Sequence, residues 1–180
     1  LVILAGAAIL FYVTDHAQAP VAVTNHLPGR ATTTVKGFDG KNASFTIDGV
    51  KVTPLNGVSK VPATPGSASM VTTSYFGNEA TGDLTGDGLP DEAFLVSQNS
   101  GGSGVFYYVV VAVQTPTGYK TTNAFLIGDR IAPQSTEIHA DSKELHVNFA
   151  ERKPGEPMTA QPSQGAGLLL NVTPNGVHEG

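Results

Sequence analysis

The sequence predicts a mainly β protein, built as an antiparallel meander, sandwich or half-barrel, behind an N-terminal hydrophobic segment. Its 180 residues include 21 glycines and 12 prolines, and only 14% of them are charged. This composition favours a turn-rich β protein over a helical one. Short alternating or apolar runs recur about every 8–12 residues without helical periods between them, which is typical of strands in antiparallel sheets.

The N-terminal segment begins with residues 1–13, an apolar run without charge. The run is shorter than the roughly 20 residues that span a bilayer, but it suits the core of a signal peptide. Ala17-Gln18-Ala19 then matches the A-x-A pattern of a cleavage site, while Pro20 directly after it favours an uncleaved membrane anchor. We therefore predict a signal peptide or membrane anchor over residues 1–19, with a buried core helix as the remaining alternative. Either main possibility places the protein outside the cytoplasm, in the periplasm, on the cell surface or secreted.

A flexible tether is predicted over residues 20–41, which are rich in Thr, Ala, Val and Gly and have no clear period. A single β-rich domain is expected from 42 to 175. It opens with a hairpin unit at 43–61, because Asp48-Gly49 between two alternating runs is a strong turn signal and Asn56-Gly57 repeats it.

The main sheet is predicted over residues 68–173. Val105 to Val113 is nine apolar residues in a row, rich in β-branched and aromatic types. Such a strand should be central and covered on both faces. A short helix near 67–74 is not required by the pattern, and the last residues are expected to fray. The other strands are expected at 70–76, 93–98, 119–127, 136–139, 145–149 and 168–172.

The most specific chemistry lies in the acidic loop, residues 83–91, which reads D-L-T-G-D-G-L-P-D. Calcium takes about six to eight oxygens from carboxylates, carbonyls and water, and an EF-hand-type loop supplies them from alternate positions around a glycine turn. Position 12 of such a loop is a bidentate Glu, but here it is Phe94, so we expect a dissociation constant on the order of 10⁻⁴–10⁻³ M. The predicted Ca²⁺ ligands are Asp83, Thr85, Asp87, the Leu89 carbonyl and Asp91.

A metal-free turn is the alternative interpretation of this loop. Asp-Gly pairs favour tight turns, and Asp side chains often accept hydrogen bonds from their own backbone. Against this, three carboxylates within nine residues repel one another unless a cation lies between them. Both interpretations stay open at the level of the sequence.

Two resemblances follow from these residues. The loop resembles those of dockerins and integrin-type FG-GAP repeats, and the strand-like Ala93-Phe94-Leu95-Val96 after it is closer to the FG-GAP arrangement. The runs 104–108, 128–134 and 151–158 resemble a group of exported bacterial proteins of unknown function. That resemblance covers roughly residues 47–163. It implies a secreted or anchored β domain that carries the acidic loop, and it implies no catalytic residues.

Composition excludes several other classes of function. The chain has no cysteine, so disulfides, thiol catalysis and zinc–thiolate sites are excluded. Its net charge is −5 and its ten basic residues are scattered, which argues against a nucleic-acid partner. The segment 101–105 has the wrong residues for a nucleophile elbow, because Val105 stands where that motif needs glycine.

A few polar side chains remain as weaker candidates. His139 and His146 are expected to face each other across a hairpin, where Glu137 would complete a metal or acid–base cluster. Asp129 and Arg130 are expected either to fix a turn as an ion pair or to bind a substrate.

We therefore expect an exported β domain with one calcium-binding loop, tethered to a membrane if its leader stays uncleaved. It would act as a binding or structural module of the cell envelope, with an envelope component or protein as its partner. One alternative is an extracytoplasmic hydrolase that uses Asp129 or Glu137 with His139. The other is a metal-free structural envelope protein.

Overall fold

The computed structural model describes residues 37–173 and 176–180, and within these ranges every regular element is a β-strand. The predicted leader, residues 1–19, and the tether up to residue 36 lie outside the described residues. A search of the described ranges finds no helix long and apolar enough to span a membrane. The prediction of an antiparallel, mainly β domain is confirmed, and one of its sheets is strongly curled into a half-barrel.

The described residues form twelve strands, and all pairings between these strands are antiparallel. In chain order they are β1 (Phe45–Ile47), β2 (Val50–Val52), β3 (Val58–Pro62), β4 (Met70–Gly82), β5 (Asp91–Asn99), β6 (Phe106–Thr115), β7 (Gly118–Thr121), β8 (Phe125–Asp129), β9 (Ala132–His139), β10 (Glu144–Glu151), β11 (Gln164–Thr173) and β12 (Gly176–Glu179).

The strands form three sheets. The largest has six strands in the order β3-β4-β5-β6-β7, and β8 also pairs with β6. The second has four strands in the order β12-β11-β10-β9, and β1 pairs with β2 as a separate hairpin. The long strand β4 changes register between Tyr75 and Gly77 and again between Gly77 and Ala80. Such bulges bend a strand and increase its local twist.

The main core lies between the two larger sheets. Leu95, Val109 and Val111 from the six-stranded sheet join Leu145 and Val147 from the four-stranded sheet in one buried cluster. Each of these side chains is fully buried. Burial on this scale stabilises the fold by about 1.5–3 kcal/mol for each large apolar side chain.

A second core covers the other face of β5 and β6. Phe45 and Ile47 from β1 pack there with Phe94, Tyr108 and Val110. The residues of β6 thus alternate between the two cores and are buried on both sides, as predicted from the unbroken apolar run. Hydrogen bonds hold the hairpin in place, including one from the Ala124 amide to the Thr46 carbonyl at 2.8 Å.

The hairpin turn at Asp48-Gly49 forms as predicted, with positive φ at both residues. Val58–Pro62, in contrast, pairs with β4 and extends the large sheet instead of joining the hairpin unit. The last residues do not fray, because Gly176–Glu179 pairs with β11 as an edge strand. Strand pairing accounts for both differences, since each of these segments forms an antiparallel pair with its neighbour along the chain.

Candidate functional site

The acidic loop joins the end of β4 to the start of β5 and is held at two buried points. The Leu84 side chain is 1% exposed and lies in the main core. Asp91, the first residue of β5, is 0% exposed. Asp83 and Leu89 are partly buried, while Thr85 and Asp87 are exposed. The loop therefore has an inner side fixed by the core and an outer side open to water.

Asp83 organises the outer turn through the backbone. Its Oδ1 accepts a hydrogen bond from the Gly86 amide at 2.5 Å, and its Oδ2 accepts one from the Gly88 amide at 2.8 Å. Gly86 and Gly88 have φ of +77° and +81°, a region that glycine adopts without steric cost. The hydrogen bond from Gly88 is the main reason why the pKa of Asp83 lies below its usual value. Asp83 is accordingly ionised at neutral pH.

Asp91 ties the loop to the neighbouring strand. Its Oδ2 accepts hydrogen bonds from the amides of Leu84 at 2.9 Å and Thr85 at 3.2 Å, and its Oδ1 accepts one from the Gln114 amide at 2.9 Å. Burial raises the pKa of Asp91 and the nearby Asp87 carboxylate adds to the rise, while the three amides oppose it. This residue, expected as a calcium ligand, is thus the acceptor that fixes the loop backbone.

The remaining predicted ligands lie on the outer turn. The Oδ1 of Asp87 accepts a hydrogen bond from the Leu89 amide at 2.9 Å, which makes a local Asx-turn. Among the described residues, no group of three or more carboxylate or imidazole side chains is arranged to hold a metal ion. In this arrangement the carboxylates of the loop accept hydrogen bonds from backbone amides.

A lysine from another turn supplies positive charge to the loop. A Cβ added at Gly86 would overlap the Lys143 ammonium, so this group lies directly against the loop backbone. Lys143 follows β9, and its charge contributes to the lowered pKa of Asp83. The sequence carries no signal for this contact, because residues 86 and 143 are far apart along the chain and come together only in the fold.

A cleft of about 500 Å³ opens beside the loop and was also not anticipated. Thr85 lines it together with side chains from three separate strands or their ends. No local motif marks these residues, since they come from separate parts of the chain that only the fold brings together. The other principal lining residues are Val113, Lys120, Thr121, Asn123 and Val172.

Asp129 and Arg130 form an ion pair at 2.7 Å that fixes a turn. The Asp129 Oδ2 accepts hydrogen bonds from the Arg130 side chain, and its Oδ1 accepts one from the Val105 amide. Hydrogen bonding from Arg130 is the main reason why the pKa of Asp129 is lowered. Arg152 donates to the backbone carbonyls of the same two residues at 3.0 and 3.1 Å.

The residues of the hydrolase alternative do not all come together. Asp129 precedes β9 and His139 ends it, so at about 3.3 Å per residue they are separated by more than roughly 20 Å of strand. Glu137 and His139 are neighbours, with 3.8 Å between Oε2 and Nε2. His139 and His146 do face each other across the hairpin, with ring centroids 4.1 Å apart.

Comparison of the chain with protein-family models, curated proteins and solved structures finds no match. The resemblances to calcium loops and to exported bacterial proteins therefore stay predictions. What the site can do follows from its geometry and chemistry alone.

Proposed function

We propose that the protein is an exported, non-enzymatic β domain that acts as a binding or structural module of the cell envelope and carries one calcium-binding loop. The N-terminal segment would deliver the domain outside the cytoplasm, and if uncleaved it would also anchor the domain to the membrane. An envelope component or protein is the expected partner.

The observation that carries the calcium proposal is the backbone turn around Asp83. The amides of Gly86 and Gly88 donate to this carboxylate, which closes the outer turn into a compact ring. Thr85 and Asp87 on that ring are exposed to solvent. An ionised carboxylate, a hydroxyl, a second carboxylate and the Leu89 carbonyl are all oxygen donors of the kind that calcium prefers, with water completing its shell.

Asp91 has a different role from the other predicted ligands. Its oxygens already accept three backbone amides. It therefore contributes negative charge and rigidity from the buried side of the loop. At most one lone pair of its oxygens remains available to an ion. A site with so few free carboxylate oxygens binds calcium weakly, in the range of extracellular modules.

Calcium would act by ligand-coupled ordering. An ion that binds only the folded loop stabilises the fold by mass action, by about 1.4 kcal/mol at ten times the dissociation constant. The ordered loop would also fix one wall of the adjacent cleft, because Thr85 belongs to both. Calcium binding and partner binding would then favour each other.

Calorimetric titration of the full chain with calcium tests this proposal. We expect uptake of one ion, a higher melting temperature with calcium than with chelator, and loss of both effects in Asp87→Asn. Asp48→Asn is the matched control, since Asp48 is an exposed carboxylate in the turn between β1 and β2. The absence of any heat or thermal shift in the unaltered chain would remove calcium from the proposal.

A metal-free structural module is the second candidate, and two contacts favour it. The amides that surround Asp83 and Asp91 already satisfy their oxygens, and the Lys143 ammonium supplies a positive charge against the loop. This candidate predicts identical melting curves in calcium and in chelator. The two candidates are thus separated by the same measurement.

A further inference from the structure

Four polar side chains form a square on the outer face of the β9–β10 hairpin, away from the acidic loop's own residues. Glu144 lies opposite His139 in the strand register, and His146 lies opposite Glu137. Residues two apart on a strand share a face, so all four belong to the same side of the hairpin. The intervening Leu145 is fully buried on the opposite side.

The two imidazoles meet along the diagonal of this square. Their centroids are 4.1 Å apart and their planes are inclined by 31°. His139 Nε2 lies 3.8 Å from the Glu137 carboxylate, and His146 Nε2 lies 3.3 Å from the Glu144 carboxylate. The two imidazoles thus lie near each other, and each has a carboxylate beside its Nε2.

Each carboxylate is in turn held by a serine. Ser135 donates to Glu137 at 3.0 Å, and Ser142 donates to Glu144 at 2.8 Å. Hydrogen bonds of this kind orient the groups around metal ligands. The side chains retain access to solvent, with 48% of His139 and 28% of His146 exposed.

We propose that His139 and His146 bind one divalent ion of the zinc, nickel or copper class as a two-nitrogen chelate. Imidazole suits these metals, whereas calcium prefers oxygen ligands. Two nitrogens on one tetrahedral zinc are about 3.3 Å apart, because each Zn–N bond is about 2.0–2.1 Å. Since the ring centroids are already 4.1 Å apart, rotation of the two side chains would bring one nitrogen of each ring to that separation.

Water and the two carboxylates complete the site. No three side chains of the described ranges are arranged around a common metal position, so the proposal rests on the two imidazoles as the protein ligands. Glu137 and Glu144 then serve as acceptors for the imidazole N–H groups or for metal-bound water, and they add negative charge around the ion. This site is separate from the calcium proposal and does not depend on it.

Competition for Zn²⁺ between the full, untagged chain and a chromophoric chelator tests the proposal. We expect one zinc ion per chain and a loss of affinity of about 100-fold in His139→Gln and in His146→Gln, because each variant removes the chelate effect. His178→Gln is the matched control and should leave the affinity unchanged. His178 is exposed on β12 in the same sheet, outside the square. A tenfold excess of calcium should not displace the zinc.

Either of two results would overturn the proposal: zinc bound equally well by a histidine variant and the unaltered chain, or an equal loss in the His178 control. A melting curve of each variant shows that it is folded. If a variant fails to fold, imidazole NMR signals of the unaltered chain decide the matter. Zinc must then shift the signals of His139 and His146, and unchanged signals would reject the site.

Discussion

Replacing Asp91 should destabilise the domain far more than replacing any other acidic residue of the loop. Asp91 is 0% exposed and accepts three amides, at 2.9, 3.2 and 2.9 Å. Two of these amides belong to the loop and one belongs to β6. Asp91→Ala leaves all three without their acceptor, and a buried donor without an acceptor is costly.

The magnitude follows from these contacts. A hydrogen bond to a charged group contributes about 1.5–3 kcal/mol, so three contribute at least about 4.5 kcal/mol. Removal of a buried carboxylate, whose pKa is raised by burial, relieves a desolvation cost that offsets part of this loss. We expect a net loss of about 3 kcal/mol for Asp91→Ala. Asp91→Asn keeps one acceptor oxygen and should lose about half as much.

The assay is thermal unfolding in the presence of chelator, so that any calcium bound to the loop does not contribute. For a chain of this length, 1 kcal/mol shifts the melting temperature by about 2–4 °C, so Asp91→Ala should melt about 6–12 °C lower. Asp87→Ala is the control, because Asp87 is exposed and accepts one local amide. Its expected change is within about 0.5–1 kcal/mol.

The ranking of the variants is the decisive result. The reasoning fails if Asp91→Ala melts within about 2 °C of the unaltered chain, or if Asp87→Ala is the more destabilised of the two. A larger loss for Asp91→Asn than for Asp91→Ala would also contradict it. An unchanged melting temperature for Asp91→Ala would mean that the cost of burying the carboxylate offsets the stabilisation from its hydrogen bonds.

Three further predictions concern other contacts. Gly82→Ala should cost about 1–3 kcal/mol in an unfolding titration, because its Cβ would lie 2.6 Å from Ile138 Cγ2, and it should cost less in an Ile138→Ala background, which lacks that methyl group. Lys143→Met should tighten calcium binding in calorimetry, since an ammonium group no longer competes at the loop; unchanged or weaker binding would contradict this. The Asp129 carboxylate, with its pKa lowered by Arg130, should contribute stability that is complete above the unfolded pKa of about 3.9 and lost as pH falls through the folded pKa. Asp129→Asn should therefore weaken the fall in the free energy of unfolding as pH is lowered. An unchanged dependence on pH would contradict this prediction.

The part of the fold that was predictable depends on short-range rules. Asp48-Gly49 marks a hairpin because two consecutive positive φ values favour this dipeptide, and both are observed there. The apolar run of β6 marks a strand between two cores, because an alternating strand would have left one face polar. The acidic loop was likewise placed between two strands from its own residues.

The roles within the loop were not predictable, because they depend on partners far along the chain. Asp91 was expected as a calcium ligand, and its sequence spacing is compatible with that. Its burial and its hydrogen bond from Gln114 arise from strand pairing, 23 positions away. Lys143 reaches the loop from a different sheet. Neither contact has a signal in the neighbouring residues.

Turn chemistry and apolar periodicity thus determine the class of fold, the central strand and the position of the acidic loop, because each acts over a few residues. The tertiary structure decides which carboxylate is buried and which lysine approaches the acidic loop. These outcomes require side chains from distant strands to share one small volume, and burial there changes the free energy of a charge by several kcal/mol. The order of residues along the chain does not by itself show which side chains will share that volume.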